Sequence, residues 1–205
     1  MNYLILQVFP LLYIITKEEP ARNGIIVRMQ RPLVNAAYID NTNLYKGLES
    51  EGFRIEYAKL RRYLTERHAV KIAYIFIGYL PGNEDRYRRL QEQGFTLIFK
   101  PTVPNKDGIK GNCDGELILQ ATSDFYEKKC SKAVLVTSDG DFACLVNFLL
   151  ERDSLDSILS PRKSTCSSLL TRSKAKMVFL PEVAHKIARL LTKEEVAAIK
   201  NRAKK

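Results

Sequence analysis

The sequence predicts an α/β domain whose mainly parallel central sheet is covered by helices on both faces. Two observations lead there. From Pro32 onward, short apolar segments alternate with segments of helical periodicity, the pattern of consecutive βα units. The strand segments also read as continuous apolar runs rather than as alternating ones, as strands buried on both faces do.

Leu33 to Ile39 (LVNAAYI) is the first predicted strand, and it ends at Asp40. Phe53 to Arg67 carries Ile55, Leu60, Tyr63 and Leu64 at helical spacing with Arg and Lys between them. Lys71 to Tyr79 (KIAYIFIGY) is a β-branched and aromatic strand closed by Pro81-Gly82. A polar helix over Glu84 to Gln93 stops at Gly94, and Phe95 to Lys100 (FTLIFK) forms the third strand. Pro101 to Asn112, rich in proline, glycine and polar residues, reads as a loop. Asp114 to Lys128 is a helix with Leu117, Ile118, Ala121 and Phe125 on its inner stripe, and Ala133 to Thr137 (AVLVT) is the fourth strand. Asp141 to Arg152 is a further helix. Ser157 to Ser160 and Lys176 to Leu180 are short closing strands, followed by a last helix over Pro181 to Leu191.

Around this domain, expected over residues 33–191, lie an N-terminal extension of residues 1–32 and a basic tail of residues 192–205. The tail carries five basic and two acidic residues and suits a frayed helix. Met1 to Thr16 is apolar but lacks a basic leading segment, is interrupted by Pro10 and is followed by no small-residue cleavage site. It is also shorter than the roughly 20 apolar residues of a membrane span, so no membrane partner is expected. Met29, just ahead of the first patterned strand, is an alternative start.

The 205 residues include 33 Lys and Arg against 23 Asp and Glu, a net charge of +10. Such an excess favours polyanions, because phosphate contacts release counterions, although solubility alone also accounts for it. Cys113, Cys130, Cys144 and Cys166 form no CxxC pair, and only His68 and His185 could complete a zinc set. Free thiols in a reducing cytoplasm are expected instead. No Walker pattern or GxGxxG occurs, and no histidine stands near a strand end, which removes nucleotide-triphosphatase, dinucleotide and serine-triad chemistry.

The acids carry the functional signal. In parallel α/β sheets, sites form beyond the carboxyl ends of strands, at the point where strand order reverses. Asp40 stands just past the first strand, with Asn43 three residues on; Asp139 and Asp141 stand just past the fourth, separated by Gly140. Each acid alone is explained by helix capping. Two beside a third are not, because converging carboxylates raise one another's pKa or recruit a cation. Asp114 opens the helix after the long loop, and Lys110 precedes it. An all-oxygen set of this kind suits magnesium or manganese rather than zinc.

The segments YIDNTNLY (38–45), KGNCDGELILQATSD (110–124) and VLVTSDGDFACLV (134–146) together resemble a NYN domain of the LabA-like group, related to the PIN nucleases. The resemblance covers roughly Leu33 to Leu191. It implies a three-layer α/β/α, PIN-like and Rossmann-like fold with a Mg2+ or Mn2+ ribonuclease site. Carried over by motif, Asp40, Asp114, Asp139 and Asp141 are the catalytic and metal-binding acids, Asn43 is the polar residue of the first motif, and Asp124, with Ser138, supports from behind. The acidic pair here is written SDGDF where strings like SGDSDF are commoner, which retains both acids.

The expected activity is endoribonuclease cleavage of single-stranded RNA, held by Asn43, Lys110, Arg162 and Lys163. A homodimer is left open. Two other readings compete: a non-catalytic RNA-binding or regulatory NYN module, and a haloacid dehalogenase-type phosphatase. The latter needs an acid two residues after the strand-one Asp, where this chain has Thr42.

Overall fold

The computed structural model describes residues 4–8, 11–15, 29–30, 34–100, 103–105, 108–110 and 113–202. Residues 1–33 and 34–205 form two compact units. In the first, β1 (Leu4–Val8) and β2 (Leu11–Ile15) pair antiparallel, and β3 (Met29–Gln30) pairs antiparallel with β2.

The second unit begins with β4 (Asn35–Asp40), α1 (Asn41–Ser50), β5 (Phe53–Ile55), α2 (Tyr57–His68) and β6 (Val70–Gly78). It continues through α3 (Glu84–Glu92), β7 (Thr96–Lys100), β8 (Val103–Asn105), β9 (Gly108–Lys110) and α4 (Asp114–Tyr126). Next come β10 (Ala133–Val136), a 3-10 turn (Gly140–Phe142), α5 (Ala143–Glu151), β11 (Leu155–Ser160) and α6 (Ser168–Thr171). The chain closes with β12 (Met177–Phe179), a second 3-10 turn (Leu180–Val183), α7 (Ala184–Ile187), β13 (Ala188–Leu190) and α8 (Lys193–Arg202).

Six strands make the central sheet in the order β12-β11-β10-β4-β6-β7, and every neighbouring pair is parallel. The chain leaves β4 in one direction through β6 and β7. It then returns to the other side of β4 and proceeds through β10, β11 and β12. The reversal therefore falls between β4 and β10, whose registers run Ala36 opposite Ala133 through Ile39 opposite Val136. A crevice at the carboxyl ends of these two strands follows from that order, because the flanking connections diverge to opposite faces.

Alternation along each strand builds two cores. Ala37, Ile39, Ile75, Ile77, Val134, Val136 and Leu159 face one side, where Leu44 and Leu48 of α1, Leu60 and Leu64 of α2, and Leu90 of α3 cover them. Tyr38, Tyr74, Phe76, Leu135 and Ile158 face the other, under Leu117 and Ala121 of α4 and Leu145, Val146 and Leu149 of α5. This is the three-layer α/β/α, PIN-like arrangement. Fully burying side chains of this size stabilises by about 1.5–3 kcal/mol each, which is why the strands tolerate almost no polar residue.

Local structure departs from the sequence reading in four places. The segment 101–112, expected as a loop, holds the antiparallel pair β8–β9. The helix expected over residues 181–191 ends at Ile187, and β13 pairs antiparallel with β5, an element read as the start of a helix. That pairing closes the core beneath α2, a long-range gain invisible to local periodicity. The helix expected from Asp141 begins at Ala143, after the turn Gly140–Phe142. Two helices, α1, with Leu44 and Leu48 buried, and the four-residue α6, add to the elements predicted above. Gly94 closes α3 at φ +87°, the left-handed conformation expected of a glycine stop.

Candidate metal centre at the sheet switch point

Asp40 is the last residue of β4 and also the N-cap of α1, its Oδ1 accepting from the Asn43 backbone N–H at 3.0 Å. Capping and cleft duty coincide in this one carboxyl, so neither reading of the residue displaces the other. Asn43 turns its amide oxygen to β10: its Oδ1 accepts from Ser138 N–H at 2.9 Å and from the Ser138 hydroxyl at 2.7 Å. That bond pins the end of β4 to the end of β10, which sets the spacing of the acids that follow each strand.

Asp139 repeats the device. Its Oδ1 accepts from Asp141 N–H at 3.1 Å, capping the 3-10 turn, while Thr137 Oγ1 accepts from Asp139 N–H at 3.1 Å. Gly140 is needed here for room rather than for backbone conformation. A Cβ on it would run into the Ser167 hydroxyl and come within 3.2 Å of Ser167 Cβ. Ser167 is itself fastened, donating its N–H to Ser138 O at 3.1 Å.

Asp114 opens α4. Asp114, Asp139 and Asp141 bring ligand oxygens within 4.8 Å of one another, close enough for one cation to touch all three. Asp40 stands outside that tight group but lines the same cleft of about 650 Å³ with Asp114 and Asp139. Its pKa is pushed up to about 6: burial is the largest cause, the Asn43 N–H opposes it, and the Asp114 and Asp139 carboxylates add repulsion. The Cys113 thiol reports the same negative field. It is pushed up to about 11 by burial first and then by the Glu116 and Asp40 carboxylates.

Among the described residues, Asp40, Asp139 and Asp141 form no ion pair with a basic side chain. Three converging carboxylates, two of them with no basic side chain among the described residues, suit a hard divalent ion. The residues present fit such an ion.

The remaining expected residues separate. Arg162 lines the cleft, placed there because Gly47 lets α1 approach it; a Cβ at Gly47 would lie 2.8 Å from Pro161 Cβ and 3.1 Å from Arg162 Cγ. Lys163 does not line the cleft, is exposed, and pairs with Glu182 at 2.7 Å. The Lys110 side chain lies outside the described residues. Ser138 is buried and engaged by Asn43. Asp124 is fully buried, taking Tyr38 Oη–H at 3.0 Å and Gln120 Nε2–H at 2.7 Å, with Lys129 Nζ at 3.5 Å. None of those partners is a site acid, so Asp124 anchors α4 to β4.

Sequence reasoning did not find Lys46 of α1 or Arg86 of α3, both of which line the cleft. For Lys46 a signal existed, since its helix follows β4, a strand bordering the switch; Arg86 lies on α3, after the next strand out, β6. A Ser–His–Asp grouping also occurs away from the cleft. There Asp156 and Ser157 both meet the same nitrogen of buried His68, Nδ1, at 2.8 and 3.2 Å, which makes a structural clasp and no relay.

No helix among the described residues is long and apolar enough to cross a membrane, and the four cysteines are free. Comparison with curated proteins finds no match. The fold is similar to the crystal structure of a protein of unknown function from Vibrio parahaemolyticus, with a TM-score of 0.59 and 23% identity over 73% of this chain and 95% of that one. The NYN domain model matches residues 35–181, more than half the chain and a span that includes the four acids. The chain therefore belongs to the NYN domain family, of PIN-like nuclease fold.

Proposed function

We propose that this chain is a Mg2+- or Mn2+-dependent endoribonuclease of the LabA-like group, cutting single-stranded RNA in the cleft between β4 and β10. The observation that carries the reading is the meeting of Asp114, Asp139 and Asp141 within 4.8 Å, without a basic partner for Asp139 or Asp141, at the reversal of strand order. Those three would hold the ion, with Asp40 as a fourth carboxylate on the same cleft. A divalent ion there supplies positive charge to the scissile phosphate and promotes ionisation of the attacking water.

The protein's own contribution is to fix the acids in advance. Asn43, by clasping Ser138, and Asp139, by capping its own turn, hold the carboxylates against mutual repulsion. Such pre-positioning costs stability in the free protein and spares reorganisation during reaction. Single-stranded RNA suits the site because a flexible backbone can bend into a cleft that a stiff duplex cannot enter.

Labelled single-stranded RNA incubated with Mn2+, with and without EDTA, tests the reading alongside Asp139→Asn. The parent cuts in a chelator-sensitive manner. The variant loses at least about 100-fold in rate, as removal of one electrostatic contact to a transition state does, while still binding RNA. Cleavage by the variant at the parent's rate removes Asp139 from the site. Binding by the parent without EDTA-sensitive cleavage marks a non-catalytic module.

A further inference from the structure

The charges of the cleft are segregated by layer. Asp114 opens α4 and Asp141 lies in the turn leading into α5, helices that cover one side of the sheet, whereas Lys46 and Arg86 lie on α1 and α3, which cover the other, and Arg162 packs against Gly47 of α1. Helix α1 is the spine of the cationic side. Near its start, the buried Asn41 accepts from Tyr57 Oη–H at 2.6 Å. Burial pushes the Tyr57 phenol up, and the adjacent Arg86 guanidinium opposes that, which places Arg86 beside this end of the helix. Lys46 lies further along, and the bare backbone of Gly47 makes room for the Pro161 and Arg162 side chains.

Among the described residues, Lys46, Arg86 and Arg162 form no ion pair. Arg162 Nε is moreover buried without a hydrogen-bond partner, a cost of about 1–3 kcal/mol, more for a charged group, that an anionic ligand would offset.

We propose that Lys46, Arg86 and Arg162 form a phosphate-binding wall that grips the backbone phosphates flanking the one presented to the acids. The inference rests on the nuclease reading for the identity of the strand, and deepens it: the site takes an oligonucleotide whose neighbouring phosphates are part of the recognition, and a substrate with one phosphate is a poor one. Lysine and arginine divide the task as their chemistry dictates, with the two guanidinium forks fixing orientation and the ammonium adding charge.

The test measures binding of a short labelled single-stranded RNA in EDTA, where no cleavage occurs, across a salt series. Lys46→Gln, Arg86→Gln and Arg162→Gln are compared with Lys132→Gln, which removes the same charge from a residue that does not line the cleft and is paired with Asp153. Each wall variant is expected to weaken binding about tenfold and to lower the salt slope by about 0.7. With Mn2+, KM rises while kcat changes little, and Arg86→Lys recovers part of the loss. Lys46 is exposed on a helix, so its variant keeps the test valid should either arginine variant unfold. Parent-like affinity and salt slope in all three variants overturn the wall and leave the nuclease reading standing. An equal loss in Lys132→Gln overturns it too, since net charge then explains binding. A parent that binds with the expected slopes yet never cleaves overturns the nuclease reading and leaves the wall.

Discussion

Replacing Asp40 by Asn separates what this carboxyl does for the fold from what it does for the site. Asparagine caps a helix as well as aspartate, so its side-chain oxygen can still accept the Asn43 N–H that Asp40 accepts at 3.0 Å. The charge is lost. In the folded protein without metal, the Asp40 pKa stands at about 6 against an ordinary 3.8, through burial and the nearby Asp114 and Asp139 carboxylates. At about 1.36 kcal/mol per tenfold, the difference corresponds to about 3 kcal/mol. Because the folded pKa lies above the unfolded one, the stabilisation from holding the proton is complete below pH about 4 and lost as pH rises through about 6.

Asp40→Asn should therefore be more stable than the parent at pH about 7.5 in chelator, by roughly 1–2 kcal/mol once imperfect amide replacement is allowed for. For a domain of this size that is a rise in Tm of about 2–8 °C. The gain should vanish near pH 4, where the parent carboxyl is protonated. Thermal denaturation followed by circular dichroism across this range, in EDTA, reads it directly, and RNA cleavage by the same variant should fall sharply. A variant less stable than its parent near neutral pH, or equally stabilised at both pH values, would refute the electrostatic account of Asp40. Added Mn2+ should narrow or reverse the difference, because the ion rewards the state that binds it better.

Other perturbations probe the scaffold. Gly140→Ala drives a methyl into Ser167 and should cost about 1–3 kcal/mol in a urea titration, with loss of cleavage as the Asp139–Asp141 turn shifts. Tyr38→Phe removes a hydrogen bond from fully buried Asp124 and should cost about 1–3 kcal/mol while leaving cleavage intact, because Asp124 lies outside the acidic group.

The strands and three of the four aspartates were legible because their signals are local. Each strand is a short apolar run, and Asp40, Asp139 and Asp141 follow close behind two of them, whereas Asp114 opens a helix after the 101–112 segment. Register and strand order are what turned three separated segments into one site, and neither leaves a local trace. Lys46 and Arg86 illustrate the gap: by sequence they are solvated helix cations, and only the placement of α1 and α3 brings both to the lining of one cleft. Asp124 lies well over two helical turns along α4 from Asp114, a separation that helix geometry already sets between the two, and what the fold adds is its partner, Tyr38 of β4.

By itself, then, the sequence determined a parallel α/β domain, its basic character and the oxygen-rich chemistry of four aspartates, because burial periodicity and residue chemistry act over a few residues. Tertiary structure decided that β4 and β10 are neighbours, that Asp114 swings in from a third segment, and that Asp40 sits beside the trio rather than within it. It also decided that Lys163 pairs with Glu182 while Arg162, packed against Gly47, lines the cleft. The physical reason is common to all of these: distances between side chains remote in sequence are set by close packing of whole layers, which no short window of sequence encodes.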